Sequence, residues 1–147
     1  MFKNIFIDAN IILDIFDKDR PNHICSTNLY RYILQKDNLI PFTSCDLITT
    51  VYYINSKNNK QQALSNIRNI NKTLKIIEFS NNEVEQTCDL MIEDEDYKDL
   101  EDTIQYILAK KLECSIIVTN DKNFVSKNLK TITSEEFCKE FDIKEIK

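Results

Sequence analysis

The residues of this chain with the clearest chemical potential are acids that stand at the ends of apolar runs. Asp8 follows the run Phe2–Ile7. Asp99, Glu101 and Asp102 precede a mixed apolar stretch that begins Thr103-Ile104. Asp121 lies two residues past Ser115–Thr119 (SIIVT). Carboxylates brought together repel. A pair about 4 Å apart costs roughly 4 kcal/mol at an effective dielectric near 20, and three without compensation shift their pKa values or strain the fold. A hard divalent ion, Mg²⁺ or Mn²⁺, accepts oxygen ligands of this kind and retains water. Such a centre can supply a hydroxide and stabilise charge on a phosphodiester during in-line displacement. Each acid also has a plain structural use. Asp8 and Asp121 suit turns or caps, and Asp99, Glu101 and Asp102 suit the positive end of a helix. The joint placement of three remote segments favours the chemical reading.

The elements needed to gather these acids follow from the pattern. Phe2–Ile7 reads as a buried strand. Asn10–Phe16 (NIILDIF) reads as a short helix, and Arg20-Pro21 breaks it. Pro21 suits the first turn of the next helix, over about 22–36, with Ile24, Leu29, Ile33 and Leu34 inward. Leu39–Thr43 is a second strand. Ser44 is a plausible N-cap for a helix over 45–56, with Leu47, Ile48, Val51 and Tyr52 at helical spacing. A turn at Lys57–Lys60 leads to a helix over 60–71 through Ala63, Leu64, Ile67 and Ile70. Leu74–Phe79 is a third strand. Ser80 and Glu83 form a capping-box pattern before a helix with Val84, Cys88 and Met91 on one face.

Glu93–Asp96 reads as a solvated acidic loop, and Asp99 opens a helix to about 113. Ser115–Thr119 is apolar enough to be buried on both faces of a parallel sheet. A short helix over Asn123–Lys127, a strand over Lys130–Thr133 and a helix over Ser134–Phe141 complete the chain. Strands alternate with helices, with no internal repeat and no linker. This predicts a single α/β domain over residues 1–147, in which helices cover both faces of a central, mostly parallel sheet. In such a sheet the carboxyl ends of the strands and the starts of the following helices share one rim. The strand order does not follow from the pattern.

Composition narrows the class. At 147 residues the chain has the length of one ordinary domain. No apolar run reaches the roughly 18 residues of a membrane helix, and no leader pattern precedes the first strand, so a cytoplasmic, membrane-free protein is expected. The five cysteines, Cys25, Cys45, Cys88, Cys114 and Cys138, contain no C-x-x-C pair, which argues against a disulfide framework or a zinc site. The one histidine, His23, cannot build a His-rich centre. A net charge of −5 argues against broad electrostatic capture of nucleic acid but leaves a local metal-dependent site open. The chain has no glycine. Asparagine tolerates positive φ next best, so Asn58-Asn59, Asn81-Asn82 and Asn120 are expected to take over the turn positions.

Ile7-Asp8-Ala9-Asn10-Ile11-Ile12-Leu13-Asp14, followed by Arg20-Pro21, resembles the opening of PIN domains. Asp99-Leu100-Glu101-Asp102-Thr103-Ile104-Gln105-Tyr106 resembles their third motif. Ile117-Val118-Thr119-Asn120-Asp121-Lys122-Asn123-Phe124 resembles the fourth, and Ser134-x-x-Phe137 also fits. Each motif is weak alone, but the ordered set spans nearly the whole chain. The resemblance implies a three-layer α/β/α PIN-like fold and a Mg²⁺- or Mn²⁺-dependent endoribonuclease of the VapC-like toxin type. RNA would be its substrate, a small antitoxin its partner, and a homodimer a common assembly. By motif position Asp8, Asp102 and Asp121 would hold the metal and its water; Asp99 and Glu101, read from the first turn of the same helix as Asp102, are additional candidates. Asn10 and Thr119 would orient the carboxylates, as neutral groups behind metal ligands do.

One departure stands out. The family's second motif usually puts an acid on the helix after the second strand, and here the matching position in Ser44–Tyr53 is Thr50. Asp46 lies four residues earlier on the same helical face and is the available substitute, although an acid in a first helical turn also serves the dipole. Two other readings therefore stay open. One is a PIN fold that binds RNA or a partner with weakened or no turnover. The other is a phosphatase that phosphorylates Asp8, but such enzymes want a second aspartate two residues on, where this chain has Asn10. The RNA target is not legible. Lys18, Lys57, Lys60, Lys122 and Lys127 are available for phosphate, and Tyr52 and Tyr53 read as core or interface residues.

Overall fold

The computed structural model describes residues 3–144, so Phe2 of the first expected strand and the last residues of the chain lie outside the described part. The elements are β1 (Asn4–Ile7), α1 (Ala9–Phe16), α2 (His23–Leu34), β2 (Ile40–Ser44), α3 (Cys45–Asn55), α4 (Lys60–Thr73), β3 (Lys75–Ile77), α5 (Asn81–Glu93), α6 (Leu100–Lys111), β4 (Ile116–Val118), β5 (Lys130–Ile132) and α7 (Ser134–Glu140). The five strands form one sheet in the order β3-β2-β1-β4-β5. Every pairing is parallel. On the helical side, α1 packs on α2 and α3, α3 on α4, and α2 on α7, while α5 pairs with α6. The result is a three-layer α/β/α fold.

The core sits on the two central strands. Ile5, Phe6 and Ile7 of β1 and Ile116, Ile117 and Val118 of β4 are all buried, as expected for strands covered on both faces. Each such side chain contributes roughly 1.5–3 kcal/mol by leaving water. The strand order creates a switch point. From β1 the chain builds β2 and β3 to one side, then returns to lay β4 against the other side of β1. At such a reversal the loops after the two central strands diverge and open a crevice. The register pairs Ile7 with Val118. The Asp8 amide donates to the Val118 carbonyl at 3.0 Å, so Asp8 and Thr119 leave the sheet side by side.

Several local expectations are corrected. No helix forms over Asn123–Lys127. The Asp121 carboxylate accepts from the Asn123 amide at 2.9 Å, a local turn that competes with helix, and the Lys127 amide donates to Tyr97 Oη at 3.0 Å instead. Pro21 precedes α2 rather than entering its first turn. Leu34 and Leu64 are exposed. On α5, Val84 and Cys88 are exposed, and the buried side chains are Glu83 and Thr87. The Glu83 carboxylate accepts from the Ser80 amide at 3.0 Å and pairs with Lys111 at 3.4 Å, which compensates its burial.

The asparagines do not take the positive-φ positions. Among the described residues those positions are Glu113 (φ 54°) and Asp142 (φ 51°). Both close helices by the same device. The Cys114 amide donates to the Ala109 carbonyl at 2.9 Å and the Glu113 amide to the Lys110 carbonyl at 3.0 Å; Ile143 and Asp142 repeat the pattern on Cys138 and Lys139. This is the Schellman arrangement, which ordinarily uses glycine. Asn59 instead caps α4, accepting from the Gln62 amide at 3.0 Å.

Candidate functional site

Asp8 ends β1, caps α1 and is only 5% exposed. Its Oδ1 accepts from the Ala9 amide at 2.7 Å. Its Oδ2 accepts from Thr119 Oγ1 at 2.8 Å and from Asn10 Nδ2 at 3.1 Å. A carboxylate offers about four lone-pair positions, so Oδ1 keeps one free. Burial raises the Asp8 pKa and the negative charge of Asp121 raises it further, whereas Thr119, Ala9 and the amide of Gln105 favour the ionised form.

Asp102 and Asp121 reach the same neighbourhood from other segments. Asp99 caps α6 by accepting from the Asp102 amide at 2.9 Å, which sets Asp102 in the first turn. Burial, then the charges of Asp8, Asp99, Asp121 and Glu101, push the Asp102 carboxyl up to about 7. Glu101 is also raised, by burial and then by Asp46, Asp8 and Asp99. Asp121 is exposed at the end of the loop after β4, and its amide donates to Thr119 Oγ1 at 3.1 Å. Asp99, Asp102 and Asp121 line a cleft of about 680 Å³ with Tyr97, Lys98, Thr103, Asn123, Val125 and Lys127, among others.

The two α3 candidates part company. The negative charge of Asp46 acts on Glu101, and Ser44 Oγ donates to the Asp46 carboxylate. Thr50 lines a different cavity, with Thr49, Tyr52, Tyr53 and Ser56. The acid loop at 93–96 is not simply solvated: Lys127 Nζ bridges Asp94 at 2.8 Å and Asp96 at 2.7 Å. Lys57 stands over the exposed ring of Tyr53, away from the cleft lining.

The donor set suits a hard cation in kind. All of the donors are carboxylate oxygens, and among the described residues no lysine or arginine forms an ion pair with Asp8, Asp46, Asp99, Glu101, Asp102 or Asp121. Their repulsion therefore lacks a side-chain counter-charge, and the raised acids register it. Among the described residues no three His, Cys, Asp or Glu side chains are gathered into a ready-made metal shell. An ion held here would need water to complete its coordination, as Mg²⁺ commonly does.

Four neighbours went unrecognised in the sequence. Asp14, 3% exposed, accepts from Arg20 Nε at 2.8 Å, Ser26 Oγ at 2.9 Å and Asn120 Nδ2 at 2.9 Å. Asn120 Oδ1 accepts from the Ser134 amide at 2.9 Å and from Ser134 Oγ at 3.1 Å, and the Asn120 amide donates to Asn10 Oδ1 at 3.0 Å. This network ties α1, α2, α7 and the β4 loop together behind the acids. The available signal was an acid inside the apolar run NIILDIF, four residues after Asn10. The fourth neighbour, Gln105, is completely buried, yet neither Oε1 nor Nε2 makes a hydrogen bond. Leaving such a group unpaired costs about 1–3 kcal/mol.

Comparison with known proteins bears on this geometry. The family model described as the PIN domain matches residues 5–128. The chain is 48% identical over 141 residues to Ribonuclease VapC1 of Aquifex aeolicus (strain VF5), covering 95% of this chain and 96% of that protein. VapBC2 from Rickettsia felis, solved with a DNA fragment from its promoter, superposes with a TM-score of 0.70 at 21% identity, covering 88% of this chain and 98% of that one. A toxin–antitoxin complex from Klebsiella pneumoniae superposes with a TM-score of 0.65 at 19% identity, covering 88% and 97%. The two solved structures speak to the fold.

Proposed function

This chain belongs to the PIN domain family, and from that premise we propose that it is a divalent-metal-dependent endoribonuclease whose ligands are Asp8, Asp102 and Asp121. The observation that carries the reading is that these three acids, from the ends of β1 and β4 and the start of α6, lie near enough for their charges to act on one another, and that among the described residues none is ion-paired to a lysine or arginine. The relative at 48% identity is a ribonuclease by name, which supports RNA as the substrate. A Mg²⁺ or Mn²⁺ ion held there would supply an activated water and charge neutralisation at the scissile phosphate. Asp8, gripped on both oxygens, is the fixed ligand, and Asp102 and Asp121 meet the substrate side at the cleft. Asn10 and Thr119 hold the Asp8 carboxylate in one orientation. Of the two lysines in the cleft lining, Lys127 is held by Asp94 and Asp96, so Lys98 is the cation suited to a phosphate backbone.

A small antitoxin is the proposed partner, in line with the toxin–antitoxin complex among the fold neighbours, and the exposed Tyr53, Ile54 and Leu64 of α3 and α4 offer apolar surface for a partner or a second copy. No helix among the described residues is long and apolar enough to cross a membrane, and a cytoplasmic site of action is part of the proposal. The neutral Thr50 motivates a second reading, in which the same crevice binds RNA or a protein without turnover.

The test is cleavage of end-labelled RNA by purified protein in Mn²⁺, Mg²⁺ or EDTA, with Asp8→Asn alongside. The nuclease reading expects cleavage that needs metal and falls by about 100-fold or more in Asp8→Asn, at least what loss of a group behind a metal ligand costs. A folded protein that binds Mn²⁺ and RNA but leaves the RNA intact would select the binding module.

A further inference from the structure

Gln105 stands one turn after Asp102 on α6, a spacing that puts both on one helical face. Its side chain is fully buried, and both amide atoms lack hydrogen-bond partners. Exchanging the amide oxygen and nitrogen does not remedy this, because neither position has a partner. Buried polar side chains in native proteins are nearly always paired, and an exception calls for a reason. The surroundings supply one. The Gln105 amide lies close enough to Asp8 to act on that carboxylate as a donor, yet it falls short of the geometry of a made hydrogen bond, and Asp8 Oδ1 keeps a free lone pair. The other polar neighbours of Asp8 (Ala9, Asn10 and Thr119) are already committed to it. Gln105 stands within reach of Asp8 without a completed hydrogen bond.

We propose that Gln105 is a positioning residue of the acid crevice, whose amide finds its partners among Asp8 and the bound water only when a divalent cation is held there. The inference rests on the metal-dependent reading above. It has a consequence that a structural glutamine would not share. In the metal-free protein the amide is a liability, so an apolar side chain of similar length should be tolerated or preferred. In the metal-loaded protein the amide is an asset.

The experiment compares wild type, Gln105→Met and Asp8→Asn by thermal unfolding in EDTA and by Mn²⁺ titration, with no RNA present. The expected result for Gln105→Met is a metal-free Tm equal to or above wild type, together with Mn²⁺ binding weakened by about 10–100-fold, the range for groups that orient ligands. Gln105→Asn, which keeps the amide but shortens its reach, should also lose Mn²⁺ affinity. A metal-free Tm several degrees below wild type in Gln105→Met, or a failure of that variant to fold, would overturn the proposal by making the amide structural. Unchanged Mn²⁺ affinity in Gln105→Met, with affinity lost in Asp8→Asn, would overturn the Gln105 role alone. Equal Mn²⁺ behaviour of wild type and Asp8→Asn would overturn the metal reading, and this inference with it.

Discussion

Thr119 Oγ1 donates to Asp8 Oδ2 at 2.8 Å, joining residues that stand 111 positions apart in the chain. The contact exists because β1 and β4 pair in a register that places Ile7 beside Val118. Thr119→Val keeps the shape and removes the donor. It should lower Mn²⁺ affinity and RNA cleavage by about 10–100-fold, and Thr119→Ser should recover most of the loss. Equal activity of the Val and Ser variants would show that Asp8 does not need this donor.

Asp46 and Thr50 share a helical face, but Asp46 acts on Glu101 whereas Thr50 lines another cavity. Asp46→Asn is therefore expected to weaken Mn²⁺ binding several-fold, and Thr50→Val to leave it within error. Mn²⁺ titration of the two variants decides this. The reverse ranking would restore Thr50 as the member of the site.

Burial and the neighbouring carboxylates push the Asp102 carboxyl up to about 7 in the metal-free fold, above its unfolded value near 4. Between those values the folded chain holds a proton that the unfolded chain has released, so this group makes metal-free stability fall as pH rises from about 4 to 7. A cation competes with that proton. Mn²⁺ affinity should rise with pH up to about 7 and flatten above it, with a proton released on binding below that point. Calorimetric titrations in buffers of different ionisation enthalpy would read the release directly; a pH-independent affinity would remove Asp102 from the ligand set.

Asp14 is buried with Arg20, Ser26 and Asn120 on its two oxygens. Asp14→Asn keeps the volume but loses the charge and presents donors to donors. We expect a loss of about 3 kcal/mol, as for breaking a buried pair, seen as a lower urea midpoint at unchanged m-value. A midpoint unchanged from wild type would mean that water or rearrangement replaces the network.

Glu113 occupies a left-handed position at the end of α6. A non-glycine residue there costs about 1–2 kcal/mol, partly offset because glycine makes the unfolded chain more mobile. Glu113→Gly should thus stabilise the protein by up to about 1 kcal/mol in urea unfolding, without changing Mn²⁺ affinity.

Much of this molecule was legible in one dimension. Apolar runs such as SIIVT declare buried parallel strands, because only residues covered on both faces can dispense with polar alternation. Asp8, Asp102 and Asp121 were legible as candidates because each follows or opens such an element. The turn at Asn58 was legible, but the positive-φ positions were not: with no glycine available, Glu113 and Asp142 were placed by the hydrogen bonds that end α6 and α7, and nothing in their identity announced it. The helix expected over Asn123–Lys127 gave way to a side-chain turn at Asp121 and a contact with Tyr97, a partner remote in sequence.

The sequence by itself determined the class of the fold and the acids worth testing, because period and composition are local properties that survive without coordinates. The tertiary structure decided the rest. Strand order is set by which crossovers pack together, and it brought β1 beside β4, and with them Asp8 beside Thr119. The same packing brought the charge of Asp46 to bear on Glu101 and buried Asp14 in a network. It also left Gln105 sealed beside Asp8 without a partner. Burial and pairing depend on what arrives from elsewhere in the chain, and no window of sequence contains that information.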